Sequence, residues 1–84
     1  MVHYLISCRS LTYAQRAASA IERRGISAAV TRMPKGLSRG GCAYCVRVSQ
    51  RRVTEALEAL KKADVHYNKV YIVHQNGETA EVAL

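Results

Sequence analysis

The chain lacks phenylalanine and tryptophan and contains a single proline among its 84 residues. Its core must therefore rest on smaller apolar side chains and tyrosine, and 49% of the residues are hydrophobic, which argues against disorder. No apolar run approaches the ~20 residues that a membrane-spanning helix needs. These absences predict one small domain over residues 1–84 and no membrane association.

Acidic residues are also scarce. The chain has 13 Lys and Arg against 6 Asp and Glu, which gives a formal net charge of +7. Such a balance suits an acidic partner, although a basic surface also keeps a small protein in solution. No pair of residues suited to general acid–base chemistry stands out, so we expect neither independent catalysis nor a cofactor.

Three cysteines make an odd number, whereas small secreted domains usually carry an even disulfide framework. Reduced thiols are typical of the cytosol. The cysteine content therefore predicts a cytoplasmic protein.

Hydrophobic periodicity predicts strands over residues 3–8, 26–32, 43–48 and 66–74, with a helix after the first and third strands. Ser10 or Thr12 is the expected cap of the first helix, and Gly25 its end. Ser49 is the expected cap of the second. Asn76-Gly77 predicts a type I′ turn into a short fifth strand, with a frayed tail as the alternative.

This β-α-β-β-α-β order predicts a ferredoxin-like α+β sandwich, with two helices on one face of an antiparallel sheet in the order 4-1-3-2. We expect the first and third strands to be parallel neighbours. That arrangement would place Cys42 at the same end of the sheet as His3 and His74. It would place Cys8 at the opposite end.

Cys42 and Cys45 form a CxxC spacing at the start of the third strand. Residues three apart in a strand lie about 10 Å apart, whereas a disulfide needs Cα atoms within about 7 Å. We therefore expect no bond between them unless Cys42 lies in a loop. A structural zinc site needs four ligands and this pair supplies two, so no metal site is expected.

A lone reactive thiol is the better interpretation of Cys42. It follows Gly40-Gly41, and Lys35 and Arg39 precede it in the same glycine-rich segment. Positive charge favours the thiolate, and glycines let a partner approach closely. An inert thiol is the alternative.

Other side chains have supporting or rival roles. Arg47 adds positive charge, and Cys45 should pack as a small hydrophobe. Cys8 rivals Cys42 because it precedes a helix, whose dipole favours a thiolate. His3 and His74 could stabilise the Cys42 thiolate or capture a metal adventitiously, although an accidental arrangement is the alternative.

The chain resembles a known family in three segments that occur in the same order: YLISCRS, the helix exit at Gly25-Ile26, and CAYCVRV. Over about residues 4–71 the chain resembles a family of small domains of unassigned function described as selenium/sulfur carrier-like. In that family a cysteine heads the third strand and maps onto Cys42, with Ala43 replacing the usual following glycine. The resemblance implies a thiol that accepts sulfur or selenium and passes it to a partner enzyme. The basic residues Lys35, Arg39 and Arg47 would then dock an acidic surface of that enzyme.

Two other functions compete. The same sandwich is the architecture of RNA-recognition motifs, and Arg39-Gly40 faintly echoes their basic-glycine signature. Those motifs stack bases on aromatic residues, whereas Tyr44 alternates with Val46 and Val48 and is expected to face the helices, so RNA binding is disfavoured. The third possibility is an interaction or regulatory module that dimerises through its sheet face or through the edge at residues 78–84.

Overall fold

The computed structural model describes residues 2–34 and 44–82, and these residues form five strands and two α-helices. The elements in chain order are β1 (His3–Cys8), α1 (Leu11–Glu22), β2 (Ala29–Arg32), β3 (Tyr44–Ser49), α2 (Val53–Lys62), β4 (Val70–Val73) and β5 (Thr79–Val82). A short 3-10 turn over Gln50–Arg52 precedes α2.

The five strands form one antiparallel sheet in the order β2-β3-β1-β4-β5. This order contains the predicted 4-1-3-2 arrangement, extended by β5 beside β4, so the ferredoxin-like α+β prediction is confirmed. β2 and β4 are shorter than predicted, beginning at Ala29 and Val70.

Both helices pack on one face of the sheet, where alternate residues of the central strands form the main core. On that face β1 contributes Ile6 and Cys8 and β3 contributes Val46 and Val48, all at most 1% exposed. The buried face of α1 is mostly alanine, with Ala14, Ala17, Ala18, Ala20 and Ile21. These small side chains let the helix lie close to the sheet, which suits a core without Phe or Trp.

The expectation that the first and third strands run parallel is wrong. β1 and β3 pair antiparallel, with His3 opposite Ser49 and Cys8 opposite Tyr44. The connections explain this direction: β1 and β2 both pair antiparallel with β3, and a helical crossover joins them, as strands with the same direction require. We call the end of the sheet at Cys8 and Tyr44 the Cys8 end, and the opposite end the His3 end.

The helix ends are set by local hydrogen bonds. The Ser10 hydroxyl accepts a bond from the Tyr13 N–H at 3.3 Å, so Ser10 is the cap of α1. Gly25 follows the helix with φ +77, a left-handed conformation that glycine adopts without strain. Ser49 makes no side-chain capping bond, because the 3-10 turn separates it from α2; that part of the prediction is wrong.

The β4–β5 hairpin has a different turn from the predicted one. The Gly77 N–H donates to the His74 carbonyl at 2.9 Å, and the His74 N–H donates to the Glu78 carbonyl at 2.8 Å. Gly77 has φ +88, whereas Asn76 is not among the positive-φ residues. A type I′ turn needs positive φ at both central residues, so the hairpin instead has a three-residue loop that ends in a left-handed glycine.

Candidate functional site

The structure describes two of the three cysteines, and both are fully buried. Cys8 and Cys45 are each 0% exposed. Cys42 lies outside the described residues, as do its predicted supporting residues Lys35, Arg39, Gly40 and Gly41. The role of Cys42, and the absence of a bond between Cys42 and Cys45, therefore stay predictions.

Cys45 lies on the face of the sheet opposite the helices, which we call the open face. It packs with Leu5 and Met33 in a small second cluster, and its sulfur lies 3.9 Å from the Arg32 carbonyl oxygen. Burial raises the pKa of the Cys45 thiol from 9.0 to about 11, and the charge of Arg47 offsets part of this rise. Cys45 is therefore a protonated, poorly nucleophilic thiol at neutral pH.

Cys8 lies on the helix-facing side of β1, with its sulfur 3.7 Å from the Ile6 carbonyl oxygen. Its strand partner is Tyr44, the first residue of β3. The expectation that Cys8 lies at the end of the sheet opposite the start of the third strand is therefore wrong. Complete burial nevertheless keeps a macromolecular partner from reaching its sulfur.

The two histidines lie together but far from the start of β3. His3 pairs with Ser49 and Val73, and His74 directly follows β4. His3 and Cys8 are five positions apart in β1, or about 17 Å along the strand. The predicted grouping of both histidines with the start of the third strand is wrong, because β1 and β3 are antiparallel.

Arg47 is exposed on the open face, with Leu5 and Ala29 as its strand partners. It lines a shallow groove of about 430 Å³ together with His3. The structure thus brings two of the predicted supporting residues, His3 and Arg47, to one groove near the His3 end of the sheet. Within residues 2–34 and 44–82, no group of three or more His, Cys, Asp or Glu side chains is placed to hold a metal ion.

Sequence reasoning missed two arginine–tyrosine stacks at the Cys8 end. The guanidinium carbons of Arg9 and Arg16 each lie 5.9 Å from the centre of the Tyr13 ring, and that of Arg32 lies 5.8 Å from the Tyr44 ring. The spacing of Tyr13 and Arg16 on one helical turn could have indicated the first stack. The second depends on the register of β2 with β3, where Arg32 is opposite Tyr44.

The open face does not offer the aromatic platform of an RNA-recognition motif. Tyr44 packs against the core on the helix-facing side, as predicted. Among the described residues of the two central strands, the alternation places no tyrosine on the open face. Tyr71 of β4 does lie there and packs with Val73 against the Leu5 and Cys45 cluster. Dimerisation through this face stays a prediction.

Residues 3–72 match the sequence model of a family whose description reads "Putative Se/S carrier protein-like". The chain belongs to this family. The match runs from the first residue of β1 into β4, so it covers the βαββαβ unit almost completely and includes Cys42. Neither a curated protein nor a solved structure shows significant similarity to this carrier-like chain. None of the helices described is long and apolar enough to cross a membrane.

Proposed function

We propose that the chain carries a sulfur or selenium atom on the Cys42 thiol, accepting it from one enzyme and passing it to another. Membership of the carrier-like family is the observation that carries this proposal, because the matched region contains Cys42 within residues 3–72. The partner is a sulfur- or selenium-handling enzyme.

Burial of the other two thiols supports Cys42 as the carrier. A carrier thiol must touch the sulfur or selenium atom that it accepts, and Cys8 and Cys45 are each 0% exposed. The raised pKa of Cys45, about 11, also leaves only a trace of thiolate at neutral pH. By elimination, Cys42 is the candidate among the three cysteines of the chain.

The transfer of the sulfur atom needs no external oxidant. The Cys42 thiolate attacks the terminal sulfur of a donor persulfide, R–S–SH. A bond forms between Cys42 Sγ and that sulfur while the donor S–S bond breaks, and the donor leaves as the thiolate R–S⁻. A donor R–S–SeH delivers selenium in the same way. An acceptor thiolate unloads Cys42 by repeating the step.

Lys35 and Arg39 are the supporting residues in this proposal. Both precede Cys42 in the same glycine-rich segment of the sequence, and positive charge near a cysteine lowers its pKa. We expect the double variant Lys35→Gln, Arg39→Gln to react more slowly with a persulfide donor below pH 8, and at the wild-type rate once the pH exceeds the thiol pKa.

Intact-mass analysis after incubation with a small-molecule persulfide tests the proposal. We expect a mass gain of one sulfur atom that maps to Cys42, is removed by a thiol reductant and is lost in Cys42→Ser. The matched control is Cys45→Ala, which should load like the wild type.

Two results would overturn the proposal. One is loading that survives in Cys42→Ser and maps to Cys8 or Cys45 in the folded protein. The other is a wild-type chain that gains no sulfur while a short reference peptide containing one cysteine does so under the same conditions.

A further inference from the structure

Three exposed arginines near the Cys8 end make cation–π contacts with tyrosine rings. Arg9 and Arg16 both lie over the Tyr13 ring, and Arg32 lies over the Tyr44 ring, with distances of 5.8–5.9 Å to the ring centres. An arginine stacked on a ring keeps its N–H groups available for carboxylates. It also loses less side-chain freedom on binding, since the ring already restricts it.

Within residues 2–34 and 44–82, no ion pair balances the charges of these arginines. All six acidic side chains lie in the described residues, and the ion pairs there join Arg52 to Glu55 and Lys69 to Glu81. Arg9 and Arg16 both lie over the Tyr13 ring, and neither takes part in an ion pair with a described carboxylate. The carboxylates of an acidic partner could therefore pair with these arginines.

Arg32 ends β2, and Arg9 follows Cys8, the strand partner of Tyr44, so both lie beside the strand ends that the Cys42 segment connects. The segment that contains Cys42 connects β2, which ends at Arg32, to β3, which begins at Tyr44. Both of these residues are at the Cys8 end. We propose that Arg9, Arg16 and Arg32 dock an acidic surface of the enzyme that exchanges sulfur or selenium with Cys42; this inference rests on the proposed function.

The residues around these three arginines favour a protein surface over RNA as the partner. RNA binding on aromatic residues needs open ring faces, whereas two guanidinium groups lie over the Tyr13 ring and Tyr44 packs against the core. Leu11, 40% exposed, begins α1 between Arg9 and Tyr13, and Val30 of β2 is 36% exposed. Exposed apolar side chains mixed with arginine are typical of protein–protein interfaces.

Two variants that remove the same number of charges test where the docking surface lies. The docking variant combines Arg9→Gln, Arg16→Gln and Arg32→Gln. The control variant replaces three other exposed arginines away from the Cys8 end, at the end of α1 and in the 3-10 turn: Arg23→Gln, Arg24→Gln and Arg51→Gln. Each variant removes three positive charges from the formal net charge of +7, so they differ only in position.

The probe is a cysteine desulfurase charged with persulfide from cysteine, and sulfur transfer to each variant is followed by intact mass. We expect transfer to the docking variant to be about tenfold slower than to wild type at low ionic strength, because docking charges mainly set the association rate. The control variant should stay within about twofold. Added salt should slow wild type and control toward the rate of the docking variant.

Parallel measurements separate this inference from the proposed function. Loading by a small-molecule persulfide should be equal in all three proteins, and its loss in wild type would refute the carrier proposal itself. Docking is measured independently as the affinity of the desulfurase for Cys42→Ser, with and without the docking substitutions. Equal affinities, or no binding at low salt, would overturn the docking surface. Binding of a polyuridylate oligonucleotide that only the docking variant loses would assign the surface to RNA instead.

Discussion

Cys45 makes the free energy of unfolding depend on pH in the alkaline range. Its thiol is buried on the open face, and its pKa is raised from 9.0 to about 11. Above pH 9 the unfolded chain therefore releases this proton while the folded chain retains it, so the free energy of unfolding falls as the pH rises from about 9 to 11. Below pH 9 the Cys45 thiol is protonated in both states, so the folded protein keeps its full stability with respect to this group.

Thermal unfolding of wild type and Cys45→Ala between pH 8 and pH 11 checks this prediction. Tyrosines and lysines titrate in the same range, so the difference between the two proteins isolates the thiol. We expect wild type to lose more stability than Cys45→Ala over this range. Parallel curves for the two proteins would contradict a buried, protonated Cys45.

Burial also predicts the order in which the three thiols react. We expect limiting iodoacetamide to label Cys42 first, and to label Cys8 and Cys45 only when the sheet opens, because both are 0% exposed. Peptide mapping at increasing urea concentration measures this order. In unfolded protein all three thiols should react at similar rates, and early labelling of Cys8 in the native protein would refute the assignment.

At the scale of single elements, the start of α1 depends on one hydroxyl. The Ser10 side chain accepts the Tyr13 N–H, which would otherwise lack an intrahelical partner. We expect Ser10→Ala to lower the free energy of unfolding by about 1 kcal/mol. Thr12→Ala is the matched control, because Thr12 lies inside the first turn and is exposed, and it should change stability by less than about 0.5 kcal/mol. Equal losses in urea denaturation would mean that Ser10 is not the cap.

The elements show what local sequence signals can predict. β1 has its predicted bounds, His3–Cys8, and the polar residues Arg9 and Ser10 end its apolar run. β2 and β4 are shorter than their predicted ranges, because a strand ends where its neighbour ceases to pair with it. The Asn76-Gly77 signal predicted a hairpin correctly, but loop length, and thereby the turn type, follows from the register of β4 with β5.

At the scale of the whole molecule, the antiparallel pairing of β1 and β3 separates the histidines from the start of β3. His3 lies about 17 Å along β1 from the partner of Tyr44, beyond the ~10 Å range of exposed charges at 0.1 M salt. We therefore expect the pH dependence of Cys42 alkylation to be unchanged in His3→Ala and His74→Ala. A shift of the apparent thiol pKa in either variant would contradict the placement of the histidines.

The direction of β3 could have been predicted from connectivity alone. β1 and β2 must run the same way across a helical crossover, and a strand placed between them in an antiparallel sheet must oppose both. The contact of Arg32 with Tyr44 could not have been predicted in this way, because it depends on the exact register of β2 and β3. That register is fixed by packing against the whole core, which no short stretch of the sequence encodes.

The central position of β1 has a consequence for synthesis of the chain on the ribosome. Its two neighbours are β3 and β4, which end at Ser49 and Val73. At translation rates of about 5–20 residues per second, several seconds separate the emergence of β1 from that of its last partner. During this interval the nascent chain presents Leu5, Ile6 and the Cys8 thiol to solvent and to chaperones. Completion of the sheet then shields the thiol, so oxidation of Cys8 would report chains that left the ribosome without folding.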